Sequence, residues 1–311
     1  MITRKEFFFN SYNGISKIYS VVWVDETIKI HKGIIQLVHG MSEHILRYED
    51  FANFMAEKGF IVCGNDHIGH GKSVSCNDDL GYFGEGEYNY LSLVEDVKTV
   101  TLKIKNMYPN LSVTLIGHSM GSFIARKYST MYPRYIDRAI FIGTSGAKHF
   151  LDFGIFFCKM KMLLGKGRQR GHFVNKLGFG AYNSKFENVK TDYDWICSKR
   201  SVVKDFVEDE KCSFIFTYAG YYDLFRLLKD ISSINWYKKF DRNIPVLLLA
   251  GKNDPVGDYG KGVIEVYKRL KKEGVNVKIV LYRNMRHEIL NEKNRVKVYC
   301  RIYQWINENM N

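Results

Sequence analysis

Residues 113–131 constrain this chain more than any other stretch. VTLI at 113–116 is an apolar run of strand length that stops at Gly117. Helical spacing then begins after Ser119 through Phe123, Ile124 and Tyr128, and Pro133 marks its end. Between the two runs stands G-H-S-M-G, residues 117–121. Passing from strand to helix in so few residues demands a very sharp turn, with the Ser119 backbone strained at its tip. Any side chain at Gly117 or Gly121 would collide with the opposite arm of the turn. The helix N-terminus beneath Ser119 also favours developing negative charge. The five-residue pattern alone is weak; the apolar strand before it and the amphipathic helix after it make it informative.

Such an element commits the chain to β-α order, and the rest of the sequence agrees. Residues 4–9 and 17–24 read as an opening antiparallel hairpin, and 34–38 as a short buried strand running into His39-Gly40. Residues 60–63 form another, ending in NDHIGHGKS at 65–73. A helical pattern covers 90–107 through Leu93, Val97, Val100 and Ile104. Further strands are expected at 139–142, 246–250 and 277–282, with a last helix near 293–308. The alternation predicts an α/β fold with a mostly parallel central sheet flanked by helices. Between 147 and 240 the rhythm lapses into helical, Phe-, Met- and Lys-rich sequence. We expect residues 1–146 and 241–311 to form one core and 147–240 a helical cap inserted into it.

A serine hydroxyl needs a histidine to take its proton, and the histidine needs a carboxylate to fix its tautomer. In a strand-turn-helix serine site of this kind the partners follow in the order Ser, acid, His, each after a late strand. VLLLAGKNDPVG places Asp254 in a turn just past a strand, and IVLYRNMRHEIL places His287 after the last one. Of the nine histidines, His39, His44, His67 and His70 come too early, and His149 and His172 fall in the expected cap. Asp258 and Glu288 compete as the acid. Asp258 is one helical turn from Asp254, whereas Glu288 adjoins His287 and adjacent side chains do not naturally face each other. Asp223 or Asp230 could serve only with the cap boundary elsewhere. Asp254 also fits the ordinary role of a turn or N-cap carboxylate before Pro255. Acyl transfer further requires two N–H donors for the tetrahedral oxyanion. By position these are Met120 and, in the H-G-M-S-E-H loop, Met41, with His39-Gly40 letting the backbone approach Ser119.

Composition narrows the setting. The chain has 311 residues, 46% of them hydrophobic, with 21 Tyr, 21 Phe and 4 Pro, which excludes a disordered or collagen-like chain. The six cysteines show no C-x-x-C spacing, so neither a zinc site nor a thioredoxin motif is expected. No apolar leader and no run of 18 uncharged apolar residues is present, which together with the cysteines suggests a reducing cytosol. The net charge of +13 comes with no nucleic-acid motif and reads as a Lys-rich composition, with no nucleic-acid partner expected.

With these pieces assembled, the chain resembles the monoacylglycerol lipase and lysophospholipase branch of the α/β-hydrolases. The matching segments are HGMSEHILRYED at 39–50, NDHIGHGKS at 65–73, GHSMGS at 117–122, GKNDPVG at 251–257 and RHEILNE at 286–292. The resemblance implies the same Ser119, Asp254 and His287 triad, the donors Met41 and Met120, and no metal or organic cofactor. It also implies that Glu43 and Arg47 bind the alcohol end of the substrate; otherwise they are a salt-bridged turn at i, i+4. Asp66 and His70 look structural in this comparison. Leu290 stands where eukaryotic monoacylglycerol lipases carry a second histidine, which weakens a claim for glycerol.

The expected activity is hydrolysis of monoacylglycerol or lysophospholipid esters, a small lipid or ester being the partner. A small-ester esterase or peptidase of the same fold, acyl transfer to another acceptor, and a non-catalytic binding protein are the alternatives. In the cap, Phe153, Ile155, Phe156, Phe157, Met160, Met162, Leu163 and Leu164 stand among Lys159, Lys161, Lys166, Arg168 and Arg170. They either pack the cap onto the core or give transient peripheral contact with an anionic membrane.

Overall fold

The computed structural model of the chain describes residues 1–86, 89–148 and 150–310. The chain opens with the hairpin β1 (Ile2–Asn10) and β2 (Lys17–Asp25), followed by β3 (Gly33–Val38), α1 (Glu49–Glu57) and β4 (Phe60–Asn65). Then come α2 (Tyr90–Met107), β5 (Val113–His118), α3 (Met120–Met131) and β6 (Arg138–Ile142). Five helices lie before the next strand: α4 (Leu151–Leu163), α5 (His172–Phe179), α6 (Arg200–Glu208), α7 (Tyr218–Ser232) and α8 (Ile234–Lys239). The chain ends with β7 (Val246–Gly251), α9 (Lys261–Lys272), β8 (Val277–Tyr282) and α10 (Arg295–Glu308).

The eight strands form one sheet in the order β1-β2-β4-β3-β5-β6-β7-β8. β2 pairs antiparallel with β1 and β4; every other pairing is parallel. This is the expected architecture, an α/β-hydrolase sheet, and the hairpin is its antiparallel edge. The inner strands are buried on both faces, so they carry continuous apolar runs whose alternate residues serve opposite layers. In β3, Ile34 and Val38 join the layer built with α2 and α3, whereas Ile35 and Leu37 join the layer of α1 and α10. In β7 the same division sets Val246, Leu248 and Ala250 against Leu247 and Leu249.

From β6 to β7 the described residues hold helices and turns, with one isolated bridge between Arg170 and Thr217. Its last two helices share the main core, since Tyr221, Leu227 and Trp236 are buried with residues of α2 and α3. Arg126 of α3 binds the two parts together. It is fully buried and donates to Ser145 O at 2.9 Å and to Ile231 O at 2.7 Å. Its guanidinium also lies 4.4 Å from the Trp236 ring. Truncation would strand two buried carbonyls and leave a void, so Arg126→Ala should lower stability by about 3 kcal/mol or more. Urea denaturation checks this, and a change below about 1 kcal/mol would contradict it.

Where β3 and β4 end, three fully buried histidines hold the following loops. His39 Nε2 accepts from His67 N at 3.0 Å, so its Nδ1 donates to Gly40 O at 2.8 Å. His70 Nε2 accepts from Ser42 N at 3.3 Å while Nδ1 donates to Ile68 O at 2.9 Å. Each of these two rings uses one nitrogen as donor and one as acceptor, which requires the neutral form. Asp66 accepts from Ile45 N at 2.8 Å and Lys72 N at 2.7 Å. Burial, with the rings of Phe83, Phe214 and Phe216 around it, pushes the His70 imidazole down to about 4. Its contribution is therefore fully present above the unfolded value near 6.5 and is lost as pH falls toward 4. The stability gap between wild type and His70→Gln should shrink over that window by up to about 1.4 kcal/mol per pH unit. Denaturant unfolding of both proteins across pH measures it, and a gap independent of pH would refute the assignment.

Candidate active site

The turn between β5 and α3 has the geometry the sequence demanded. Ser119 sits at φ 53° and ψ −123°, and its N–H donates to Ile142 O at 2.9 Å. A Cβ on Gly117 would lie 2.3 Å from Gly121 O, and one on Gly121 would lie 2.0 Å from Val38 O. Both positions must therefore be glycine. Ser122 clamps the turn from beneath, its hydroxyl donating to Ser119 O at 2.6 Å.

The loop after β3 comes alongside. A Cβ on Gly40 would fall 3.1 Å from Ser119 Cβ and 2.7 Å from Glu43 Oε1, so glycine permits the close approach. Met41 follows in this loop, and Met120 opens α3. Among the described residues neither backbone N–H has a hydrogen-bond acceptor. Both residues line one cavity of about 530 Å³ together with Ser119 and His287.

His287 and Asp254 are buried, with His287 Nδ1 2.9 Å from Asp254 Oδ2. The contact is close but bent away from ideal hydrogen-bond geometry, and neither atom has another partner among the described residues. Asp254 is oriented by Val256 N, which donates to Oδ1 at 2.9 Å. The acid and base loops are tied together, Asn253 N donating to Met285 O at 3.0 Å. A Cβ at Gly143 would lie 2.9 Å from His287 Cε1, so that glycine admits the ring. His118 and Trp195 flank the imidazole at ring-centroid distances of 4.6 and 5.2 Å.

The competing acids are engaged elsewhere or exposed. Asp258 is exposed; Asp223 accepts from Tyr90 N at 3.1 Å, and Asp230 pairs with Lys127 at 2.6 Å. Glu288 faces away from His287 and holds Arg47 through two hydrogen bonds of 2.6 and 2.8 Å. Arg47 also donates to Glu43 Oε2 at 2.7 Å. Glu43 lines the cavity; Arg47 stands behind it and is not among the lining residues, so direct contact of Arg47 with a substrate is not what the geometry favours. His172 lines the cavity too, and His149 lies outside the described residues.

Around Glu43 the structure adds partners that the sequence did not reveal. Glu43 Oε1 accepts from Gly40 N at 2.5 Å and from Tyr48 OH at 2.7 Å, and it lies 3.3 Å from His118 Nδ1. Burial would push the Glu43 carboxyl up, but the contacts with His118 and Arg47 outweigh it and hold it well below its ordinary range. Burial would likewise lower His118, and its contact with Glu43 raises it instead. His118 Nε2 donates to His287 O at 3.3 Å, linking this network to the base. The i, i+4 spacing of Glu43 and Arg47 signalled their pairing, but Glu288 is 241 residues from Arg47, beyond any local pattern.

Residues 29–294 match the Hydrolase_4 family model, described as serine aminopeptidase, S33. The crystal structure of a highly thermostable carboxyl esterase from Bacillus coagulans in complex with glycerol is 31% identical, with a TM-score of 0.93 and 99% of each chain covered. A monoacylglycerol lipase of Mycolicibacterium smegmatis is 31% identical over 147 residues, 47% of this chain and 49% of that protein. Human monoglyceride lipase is 37% identical over 98 residues, 30% of this chain and 29% of that protein. The matches to these two curated relatives thus span about half of their length or less. The chain belongs to the Hydrolase_4 family, within the α/β-hydrolases.

Proposed function

We propose that the protein is a serine carboxylic-ester hydrolase acting on monoacylglycerols or lysophospholipids through an acyl-enzyme. In this reading Ser119 Oγ attacks the ester carbonyl as His287 takes its proton, and Asp254 holds the imidazole tautomer and stabilises the imidazolium. The N–H groups of Met41 and Met120 receive the tetrahedral oxyanion. The C–O bond breaks, the alcohol leaves with the proton from His287, and water attacks the acyl-Ser119 ester by the same steps in reverse. The observation that carries the proposal is one cavity lined by Ser119, His287, Met41 and Met120, the last two with unengaged N–H groups. Its wall of Phe150, Phe179, Leu224, Phe225 and Leu228 suits an acyl chain, and Glu43 and Glu288 mark a polar end for the alcohol.

An ester is favoured over a peptide with a free amino terminus. Both buried carboxylates of the cavity, Glu43 and Glu288, are bound to Arg47, and the remaining lining acid, Asp192, is exposed to water, where pairing with a substrate ammonium gains little. Fatty-acid release from an ester series, acetyl to oleoyl monoacylglycerol plus lysophosphatidylcholine, tests the reading. Long-chain esters should be preferred. Ser119→Ala should lose on the order of 10⁴-fold or more in kcat, and Asp254→Asn on the order of 10³–10⁴-fold. Turnover limited to short esters would remove the lipid assignment, and full activity in Ser119→Ala would remove the mechanism.

We also read residues 147–240 as a lid whose outer face touches lipid. Phe153, Phe156, Met160, Leu163 and Leu164 are exposed, while Ile155, Phe157 and Met162 pack inward. The nearby arginines are occupied: Arg168 pairs with Asp79, and Arg170 donates to the carbonyls of Leu80 and Ile215. Contact would then rest on apolar side chains and lysines rather than on these arginines. No helix among the described residues is long and apolar enough to cross a membrane, so attachment would be peripheral. Anionic vesicles should co-sediment the protein better than neutral ones, and Phe156→Ser with Leu163→Ser should reduce the bound fraction several-fold. Equal binding to both vesicle types would refute it.

A further inference from the structure

Away from the cavity, one group of three chemically mixed donors stands out among the described residues. The ligand atoms of His44, Asp209 and Cys212 all lie within 4.8 Å of one another. His44 Nε2 is 2.9 Å from Asp209 Oδ2. Lys211 N donates to Asp209 Oδ1 at 2.7 Å, which fixes the carboxylate while Oδ2 meets His44. Cys212 N donates to Asp209 O at 2.9 Å, closing the tight turn that brings the thiol back to the carboxylate. Cys212 is buried, whereas His44 and Asp209 are partly exposed, so the group has a dry inner side and a wet outer one.

We propose that His44, Asp209 and Cys212 form a binding site for zinc or a cation of similar softness, joining the loop after β3 to the helical segment. Imidazole, carboxylate and thiolate together suit zinc, with three protein ligands and a fourth position left to water. The all-oxygen shells of calcium and magnesium do not match this set. Carboxylate and thiolate bring two negative charges to a dication. The positive charge of Arg47 is already shared between Glu43 and Glu288.

The geometry asks for little movement. With Zn–N and Zn–O bonds of ~2.0–2.2 Å, tetrahedral ligands stand about 3.4 Å apart. The His44–Asp209 pair therefore opens by roughly half an ångström, and Cys212 Sγ turns inward. On binding, the Cys212 thiol gives its proton to solvent. His44 takes the tautomer with its proton on Nδ1, leaving the Nε2 lone pair for the metal.

The position gives such a site a consequence. Ser42 O accepts from Ser213 N at 3.0 Å, and Ser42 Oγ donates to Phe214 O at 2.6 Å, so this loop is already sewn to the segment after Cys212. A metal would add a stronger tie three residues from Met41, which lines the cavity. Local spacing could not reveal the site, because His44 and Asp209 are 165 residues apart.

Titration of the metal-stripped protein with cobalt(II) tests the proposal. A single equivalent should produce a near-ultraviolet thiolate-to-cobalt absorption and visible bands of tetrahedral intensity, both displaced by one equivalent of zinc. Cys212→Ser should abolish the thiolate absorption, and His44→Gln should weaken zinc binding about tenfold or more, measured against a chromophoric chelator. Cys76→Ser should leave both unchanged; Cys76 is exposed and 3.5 Å from Asp79, the obvious rival. Absence of the thiolate absorption, its survival in Cys212→Ser, or its loss in Cys76→Ser would overturn the site.

Discussion

Everything at the candidate active site depends on one close crossing of backbones, where α3 begins beneath the end of β3. Gly121 lies so near Val38 O that a methyl group there would stand 2.0 Å from the oxygen. That contact sets the distance from Ser119 to the loop carrying Met41, and thereby brings two free N–H groups to one cavity. The strained backbone of Ser119 is the other half of the same constraint, since a relaxed φ would lengthen the turn. The surrounding parallel strands supply the rigidity that keeps such a conformation populated. Ser119 N is itself held by Ile142 O of the neighbouring strand.

This explains which parts of the molecule were legible in the sequence. Strands buried on both faces announce themselves as apolar runs, so β3 through β7 lie close to the limits read from sequence, and the half-buried edge strand β8 does so through its apolar VKIVLY run. The glycines at 117 and 121 and the turn at Asp254 were legible because short-range sterics leave few alternatives. Of the partners of Arg47, only Glu43 was. Its pairing with Glu43 is local, but Glu288 and the Tyr48–His118 contacts come together only through the sheet topology. Composition likewise could not tell which arginines of the helical segment are free. Arg170 is consumed by carbonyls of the loop at 77–80.

The buried charges near the cavity are better understood as positioning than as stability. Two carboxylates and one guanidinium withdrawn from water gain little net free energy over an apolar cluster of the same shape. What they fix is direction. Glu43 accepts from Gly40 N and so holds the turn before Met41; Glu288, one residue after His287, holds the base loop through the same Arg47. One guanidinium thus couples the loop of an oxyanion donor to the loop of the base. A substitution there changes the relative placement of both without touching either.

The helical segment divides along similar lines. Its part from Asp194 to Ser198 is bound to the base loop: Glu288 N donates to Ile196 O at 2.7 Å, Ser198 N to Glu292 at 2.9 Å, and Arg286 to the carbonyls of Asp194 and Cys197. Motion there would drag His287 with it. The part carrying α4 and α5 has no such bonds to the base loop among the described residues, and it exposes Phe153, Phe156, Leu163 and Phe173. Displacing the whole segment as one body would therefore pull the base loop away from Asp254. α4 and α5 are tied instead to α7, with Tyr221 OH donating to Asn175 Oδ1 at 2.6 Å and Gly171 N to Phe216 O at 2.8 Å, while the half beside Trp195 is held against the imidazole.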